Sequence, residues 1–404
     1  MRIALATVGT RGDVIPFRAL ARRLVDRGHE VTAVTWPVHA EFLAVPGVRV
    51  EVAGPHADPR RIAATAAAAA RQGPMEQVAT LRDFHLADGS AHYRALRALL
   101  RGHDLVLLHG IHAIAHAAVL YENLPWASVT FDPVLLATRA APPPGMPNIG
   151  PANRLLWGMV DRALARTARP LDDMLARAGS AQQGLPLFRA RSQRLHLVAC
   201  SPSIIVVPPD LPRGTQVTGA WLDDSEPDPL PDDLARFLDE GPPPIVITFG
   251  SMAGMSTSEL ADTVRAVLNA GRRVVAQSPT GVSSPNLVEV GSVDHRLLFP
   301  SSGLVVHHGG AGTTHAACAA GVPSVVVPQI GDQRYWADRL RRLGVAPDPV
   351  RLAQGMGSRL ADAITAAAAD PRLAGAASAL GQRLRRESGL DVAVEALEAV
   401  TRRL

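Results

Sequence analysis

Short, nearly continuous apolar runs alternate along this chain with stretches whose apolar residues recur every three or four positions. The first kind predicts buried strands and the second amphipathic helices. Residues 2–8 read as a strand, followed by a glycine-bearing turn and a helical pattern over 14–27 that Gly28 ends. Residues 30–36 then read as the next strand, so the chain opens with strand, helix and strand at the spacing of a parallel βαβ unit. Further strands are expected at 104–108, 126–131 and 196–201, with helices over 60–71, 91–100 and 113–121 between them. Prolines over 142–147 predict an exposed loop, and a long helical pattern over 152–178 should be interrupted at Pro170.

The pattern then breaks and restarts. Asp, Glu and Pro crowd residues 223–244, including Pro227, Pro229, Pro231 and Pro242 to Pro244, a composition suited to a stiff connector despite a short helical piece at 234–238. Residues 244–251 repeat the opening strand and its glycine turn, and further strands are expected at 273–277, 303–307 and 324–328. The 404-residue length exceeds what one hydrophobic core usually organises. The expected organisation is α/β: two Rossmann-like parallel-sheet domains facing a central cleft. Residues 1–222 form the first domain, 223–244 the linker and 245–385 the second, with a C-terminal helix in 386–404 packing back on the first. Ligands in such sheets bind at the carboxyl ends of the strands, which puts both glycine turns beside the cleft.

Composition narrows the function classes. Hydrophobic residues make up 47% and charged residues 19%, the balance of a soluble enzyme. No apolar run reaches the roughly 18 residues that cross a bilayer, and charges sit too near both ends of the first apolar stretch for a secretory signal, so a cytoplasmic protein without integral membrane association is expected. The formal charge of +4 is small, and aromatics at 4% are too few for a nucleic-acid-binding surface. Cys200 and Cys318 lie far apart among apolar or small neighbours and read as buried free thiols. The chain contains no lysine, which removes Schiff-base pyridoxal-phosphate chemistry and Walker-type nucleotide hydrolysis.

A strand ending in Val305, Val306 and His307 runs into His308, Gly309, Gly310, Ala311, Gly312, Thr313 and Thr314, where a helix opens. Glycines let backbone amides approach an anion, and a helix N-terminus adds unpaired N–H groups and partial positive charge. Thr313 and Thr314 add hydroxyl donors, and His308 can donate to a phosphate oxygen. The plain alternative is a tight strand–helix junction with threonine caps. At the end of the following strand stand Gly331, Asp332 and Gln333. A carboxylate beside an amide can grip vicinal hydroxyls; alternatively Asp332 is a helix N-cap. A dehydrogenase fits less well, because the turn lacks the third glycine of a dinucleotide fingerprint.

The stretch 293–340 resembles the donor-binding signature of the family 1 glycosyltransferases, which have the two-Rossmann GT-B fold. Within bacteria the chain is most similar to the natural-product subgroup of glycopeptide-antibiotic glycosyltransferases and the related sterol glucosyltransferases. The resemblance spans nearly the whole length and is most specific in the C-terminal half. It implies that His308 contacts the donor diphosphate, that the turn of Gly310, Gly312, Thr313 and Thr314 wraps phosphate, and that Asp332 and Gln333 hold the donor sugar. Phe249–Gly250–Ser251 matches the family's other phosphate-contacting turn. Many members carry a tryptophan that stacks on the nucleobase just before the residue matching Val293. Here Ser292 stands in that place, as in the glycopeptide-type enzymes, and the base, uridine or thymidine, is left open.

The N-terminal turn Thr7–Val8–Gly9–Thr10–Arg11–Gly12–Asp13 resembles that subgroup's Gly-Ser/Thr-Arg-Gly-Asp turn. Asp13 is expected to take the acceptor proton, with Thr10 and Arg11 near the donor diphosphate or the acceptor; the ordinary alternative for Asp13 is an N-cap for the following helix. His109, His112 and His116 could bring imidazoles onto one helical face, but without a nearby Cys, Asp or Glu partner pocket-lining positions are expected rather than zinc. His85 and His92 are left between acceptor pocket and helix surface.

The resulting expectation is an inverting, metal-independent transferase. It would move a hexose or deoxyhexose from a UDP- or TDP-sugar to a hydroxyl of a bulky natural-product or lipid-like aglycone. The nucleotide sugar is a co-substrate, no cofactor or metal is called for, and a monomer or homodimer is expected. A non-hydrolysing sugar-nucleotide epimerase or a silent nucleotide-sugar-binding subunit would share the fold.

Overall fold

The computed structural model describes residues 1–56, 58–70, 72–134, 136–143, 146–250, 256–351 and 356–402. The chain divides into two compact units: Met1–Asp223 with Ser388–Leu404, and Asp224–Glu387.

Among the described residues the first unit holds a seven-stranded parallel sheet of order β3-β2-β1-β4-β5-β6-β7. Its strands are β1 (Arg2–Ala6), β2 (Glu30–Thr35), β3 (Val48–Val52), β4 (Leu105–His109), β5 (Trp126–Thr130), β6 (His196–Val198) and β7 (Thr215–Val217). Period-two alternation divides the side chains between two cores. Ile3, Leu5, Leu105 and Leu107 pack with Phe17, Leu20 and Leu24 of helix Arg11–Asp26 and with Ala393, Val394 and Leu397 of helix Gly389–Thr401. Ala4, Ala6, Val106 and Leu108 face the other way, against Leu96, Ile114 and Leu171 from three further helices. Alanine on β1 leaves room there for the buried aromatic ring of Tyr93.

The second unit holds β8 (Ile245–Thr248), β9 (Val274–Ala276), β10 (Leu287–Glu289), β11 (Leu304–His307) and β12 (Ser324–Val326), all parallel and ordered β10-β9-β8-β11-β12. Ile245, Ile247, Leu304 and Val306 face helices Thr257–Asn269 and Gly357–Ala368. Val246 and Val305 pack against Leu234, Phe237, Leu298, Phe299 and Ala317.

Several boundaries differ from the sequence reading. The first helix begins at Arg11, with Thr10 as its N-cap, so Asp13 is its third residue rather than its cap. The proline-rich stretch 223–244 contains helix Asp232–Asp239, which buries Leu234 and Phe237 in the second unit's core. The long helical pattern over 152–178 is two helices, Asn153–Thr167 and Arg169–Arg177, broken at Ala168 with Pro170 in the first turn of the second. Helix Pro74–His85 and the edge strands β3, β7 and β10 were not anticipated. Cys200 and Cys318 are both buried, and neither is in a disulfide. No described helix is long and apolar enough to cross a membrane.

Candidate functional site

In each sheet the strand order reverses beside the unit's first strand: β1 lies between β2 and β4, and β8 between β9 and β11. Connections leave such a pair in opposite directions and open a crevice at the carboxyl ends of its strands. The residues with reactive or anion-binding side chains cluster at these two places.

In the second unit, the turn after β8 and the turn after β11 flank the switch point. His308 follows β11 and is buried. Its ring lies against the N-terminus of helix Ala311–Ala320: a Cβ built on Gly310 would meet His308 Nε2 at 2.5 Å, and one on Gly250 would meet Cε1 at 3.5 Å. Gly310 is the N-cap and brings no side chain, so the leading amides of the helix lack both intrahelical acceptors and a capping oxygen. Gly309 takes a φ of 87°, and a Cβ there would meet Val326 Cγ1 at 2.9 Å and the Gln333 carbonyl at 3.0 Å. Only glycine permits that backbone with that contact. It brings the turn after β11 directly against the start of helix Gln333–Arg342.

Among the described residues, His308 Nδ1, Thr314 Oγ1 and both polar atoms of the Gln329 amide are buried without a hydrogen-bonding partner. Unsatisfied buried polar groups are expensive, and this concentration beside a helix N-terminus marks a place built for a polar ligand. Burial, reinforced by His295, pushes the His308 imidazole down to about 4, so the ring is neutral near pH 7.

The acid–amide pair already has work inside the unit. Gln333 Oε1 accepts from the amides of Gln329 at 2.7 Å and Ile330 at 3.1 Å, bracing the turn after β12. Asp332 occupies the N-cap position without capping through its side chain; its Oδ2 accepts from Trp336 Nε1 at 2.7 Å. Val293 is half-buried and packs against the core containing Leu298 and Phe299. Next to it, His295 stacks on Phe299 at 4.2 Å and hydrogen-bonds through Nε2 to Gln277 Oε1 at 2.9 Å. Gly312 and Thr313 lie in the first turn of helix Ala311–Ala320. Ser251 lies outside the described residues. Gln329 was overlooked in the sequence because an amide at a strand end has many ordinary uses; its burial without partners is visible only in three dimensions.

In the first unit, Asp13 sits in the first turn of helix Arg11–Asp26, just past the end of β1, and its Oδ2 accepts from the Thr10 amide at 2.7 Å and the Thr10 hydroxyl at 2.8 Å. His109 ends β4 across the switch point, with Nε2 3.9 Å from Asp13 Oδ1 and Nδ1 donating to the Val8 carbonyl at 3.3 Å. Close by is a small cavity of about 10 Å³, roughly room for one water, whose lining includes Val8, Trp36, His85, His92, His112 and Phe188. Trp36 Nε1 and both ring nitrogens of His92 are buried without partners. Burial lowers His85 to about 4 and His92 to about 3, so the cavity presents neutral imidazoles. His112 Nδ1 accepts from the Ala115 amide, while His116 packs on Trp126. Among the described residues no group of three His, Cys, Asp or Glu side chains is placed to hold a metal ion.

Two parallel Rossmann-like units with strand-end sites of this kind are the parts of a GT-B fold, and comparison with known proteins supplies the family. Residues 3–57 match the glycosyltransferase family 28 N-terminal domain, and residues 272–393 match the erythromycin biosynthesis protein CIII-like C-terminal domain. The chain is 32% identical to O-mycaminosyltylonolide 6-deoxyallosyltransferase of Streptomyces fradiae, over 98% of this chain and 97% of that one. It is 30% identical to vancomycin aglycone glucosyltransferase of Amycolatopsis orientalis, over 100% and 98%. The crystal structure of glycosyltransferase VinC in complex with DTDP superposes with a TM-score of 0.67 over 100% of each chain, at 23% identity, a likeness of fold. The chain belongs to the family 1 glycosyltransferases, among the bacterial natural-product enzymes that resemble the glycopeptide and sterol glycosyltransferases. It is an enzyme that transfers a sugar.

Proposed function

We propose that this enzyme transfers a hexose or deoxyhexose from a UDP- or TDP-sugar to a hydroxyl of a bulky natural-product or lipid-like aglycone, with inversion and without a metal. The observation that carries the donor half is the set of unpartnered polar atoms on His308, Thr314 and Gln329 beside the uncapped start of helix Ala311–Ala320. A diphosphate supplies acceptor oxygens for the N–H and O–H groups among these atoms and for the helix amides, and the helix N-terminus favours its charge. His308 and the amides preceding Thr314 hold the leaving diphosphate as the anomeric bond breaks. Asp332 and Gln333 meet the sugar from the start of helix Gln333–Arg342.

Asp13 is the base. Thr10 fixes Oδ2, which leaves Oδ1 to receive the hydroxyl proton as the acceptor oxygen attacks the anomeric carbon. A single displacement inverts that carbon. The aglycone approaches Asp13 from the side lined by Trp36, His85 and His92, where the small pocket must widen to admit its body and the neutral imidazoles and indole N–H can then meet its oxygens. The relatives' names support both halves: one is a 6-deoxyallosyltransferase of O-mycaminosyltylonolide, the other a glucosyltransferase of vancomycin aglycone, and VinC is seen in complex with DTDP.

A mass-spectrometric screen of TDP- and UDP-hexoses against macrolide, glycopeptide and sterol aglycones tests this reading. A mass gain equal to one anhydrohexose or anhydrodeoxyhexose on an aglycone is expected, with the opposite anomeric configuration to the donor by proton NMR. A new sugar nucleotide formed from donor alone would identify an epimerase instead, and a retained configuration would overturn the single displacement.

A further inference from the structure

Asp13 is ringed by imidazoles. His39, on the turn after β2, donates from Nε2 to the Gly9 carbonyl at 2.9 Å. His85 closes helix Pro74–His85 and lies within reach of Asp13's charge. Arg11 lies on Asp13's own turn, and His112 caps the helix that follows β4. Of these groups His109 faces the carboxylate within 4 Å, its Nε2 standing 3.9 Å from Oδ1.

The tautomer of His109 follows from its other contact. Nδ1 lies 3.3 Å from the Val8 carbonyl, which can only accept, so Nδ1 carries the hydrogen. The neutral ring therefore turns a lone pair on Nε2 toward Asp13. Burial holds this imidazole below its ordinary value against the opposing pull of Asp13's charge, and Phe17 and Phe131 close over the ring. Two atoms bearing lone pairs face one another too far apart for a hydrogen bond. A proton arriving on Asp13 makes one of them a donor, and a closure of about 1 Å turns the stand-off into a hydrogen bond.

We propose that His109 is a positioning residue that receives the acceptor's proton from Asp13, a role that rests on Asp13 being the base. The acceptor oxygen forms its bond to the anomeric carbon while the bond to the diphosphate breaks, and the diphosphate leaves with the electron pair. The acceptor proton moves to Asp13 Oδ1 and on to His109 Nε2, leaving an imidazolium beside a carboxylate. That ion pair keeps the proton away from the new glycosidic oxygen until solvent removes it.

Two measurements test the assignment. Long-range ¹H–¹⁵N spectra of ligand-free wild-type, H109N and D13N protein give the tautomer and titration of His109, whose signal is the one H109N removes. The Nδ1–H tautomer is expected, with a midpoint below the ordinary imidazole value of about 6.5. D13N should lower that midpoint further, because the Asp13 charge raises it in the wild type. An Nε2–H tautomer, or a midpoint that D13N does not move, overturns the proposal.

The second measurement is turnover with the donor and aglycone chosen by the screen. The asparagine of H109N keeps a donor for Val8 but has no counterpart of Nε2. H109N and H109F should therefore lose turnover alike, about 10- to 100-fold, with KM for both substrates within threefold of wild type. Both should also lose or shift the wild-type fall in rate on acidification below pH 6.5, where protonated His109 can accept nothing. H109N with wild-type turnover and an unmoved acid limb shows that His109 only tethers Val8. If D13N itself turns over normally, Asp13 is not the base and the earlier reading fails instead. Wild-type melting of H109N separates either outcome from misfolding.

Discussion

His308 and Gly310 share one space: the imidazole Nε2 lies 2.5 Å from where a Cβ on Gly310 would stand. Glycine at this N-cap is therefore required by the histidine beside it, and the two together form the corner where a diphosphate is proposed to sit. G310A should displace the ring while keeping the helix, and should weaken TDP or UDP binding at least tenfold, about 1.4 kcal/mol. Calorimetry with free nucleotide reads this. Unchanged affinity would separate His308 from the nucleotide.

Asn in place of Asp13 can still accept from the Thr10 amide and hydroxyl, so the first turn of helix Arg11–Asp26 should survive. D13N is expected to leave melting and nucleotide affinity near wild type while turnover falls about 10²- to 10⁴-fold. Loss of binding together with turnover would indicate a structural role for this carboxylate.

Buried histidines make the fold acid-sensitive. Burial lowers His85, His116, His295, His308 and His315 to about 4, and His92, His196 and His307 to about 3. Between those values and about 6.5 the unfolded chain binds protons that the folded chain refuses, so stability falls as pH falls through this window and is unaffected by these groups above it. Each contributes up to about 1.4 kcal/mol per pH unit. Melting temperature should be nearly level from pH 7 to 8 and drop by more than about 10 °C from pH 7 to 5. A flat profile would mean these rings are not buried as described.

The C-terminal helix is fastened to the first unit at Gly389, where a Cβ would meet the Ala220 carbonyl oxygen at 2.2 Å. Arg23 pairs with Asp391, and Glu398 pairs with Arg27 and His29 along the same helix. G389A should cost about 1–3 kcal/mol by forcing that contact apart. Exposed Gly375, inside helix Pro371–Leu384 with nothing within 4 Å of a built Cβ, is the control. G375A should be neutral or stabilising by up to about 1 kcal/mol. Equal effects at both positions would contradict the docking.

Central strands were legible in the sequence because β1, β4, β8 and β11 are buried on both faces and read as continuous apolar runs. Edge strands were not. Val48–Val52 interleaves Arg49 and Glu51, and β7 and β10 are three residues each, too short for a period to register. Glycines and His308 marked the junction after β11, since few folds other than an anion cradle need that composition there. What lay beyond sequence reading was tertiary: the Asp13–His109 approach between two strand ends and the burial that leaves the Gln329 side-chain amide partnerless. Each depends on which strands become neighbours at a switch point.

The most direct test is a crystal structure with TDP or UDP bound. Diphosphate oxygens are expected about 3 Å from the His308 ring and from the leading amides of helix Ala311–Ala320. A nucleotide whose phosphates settle away from that helix start would contradict the account.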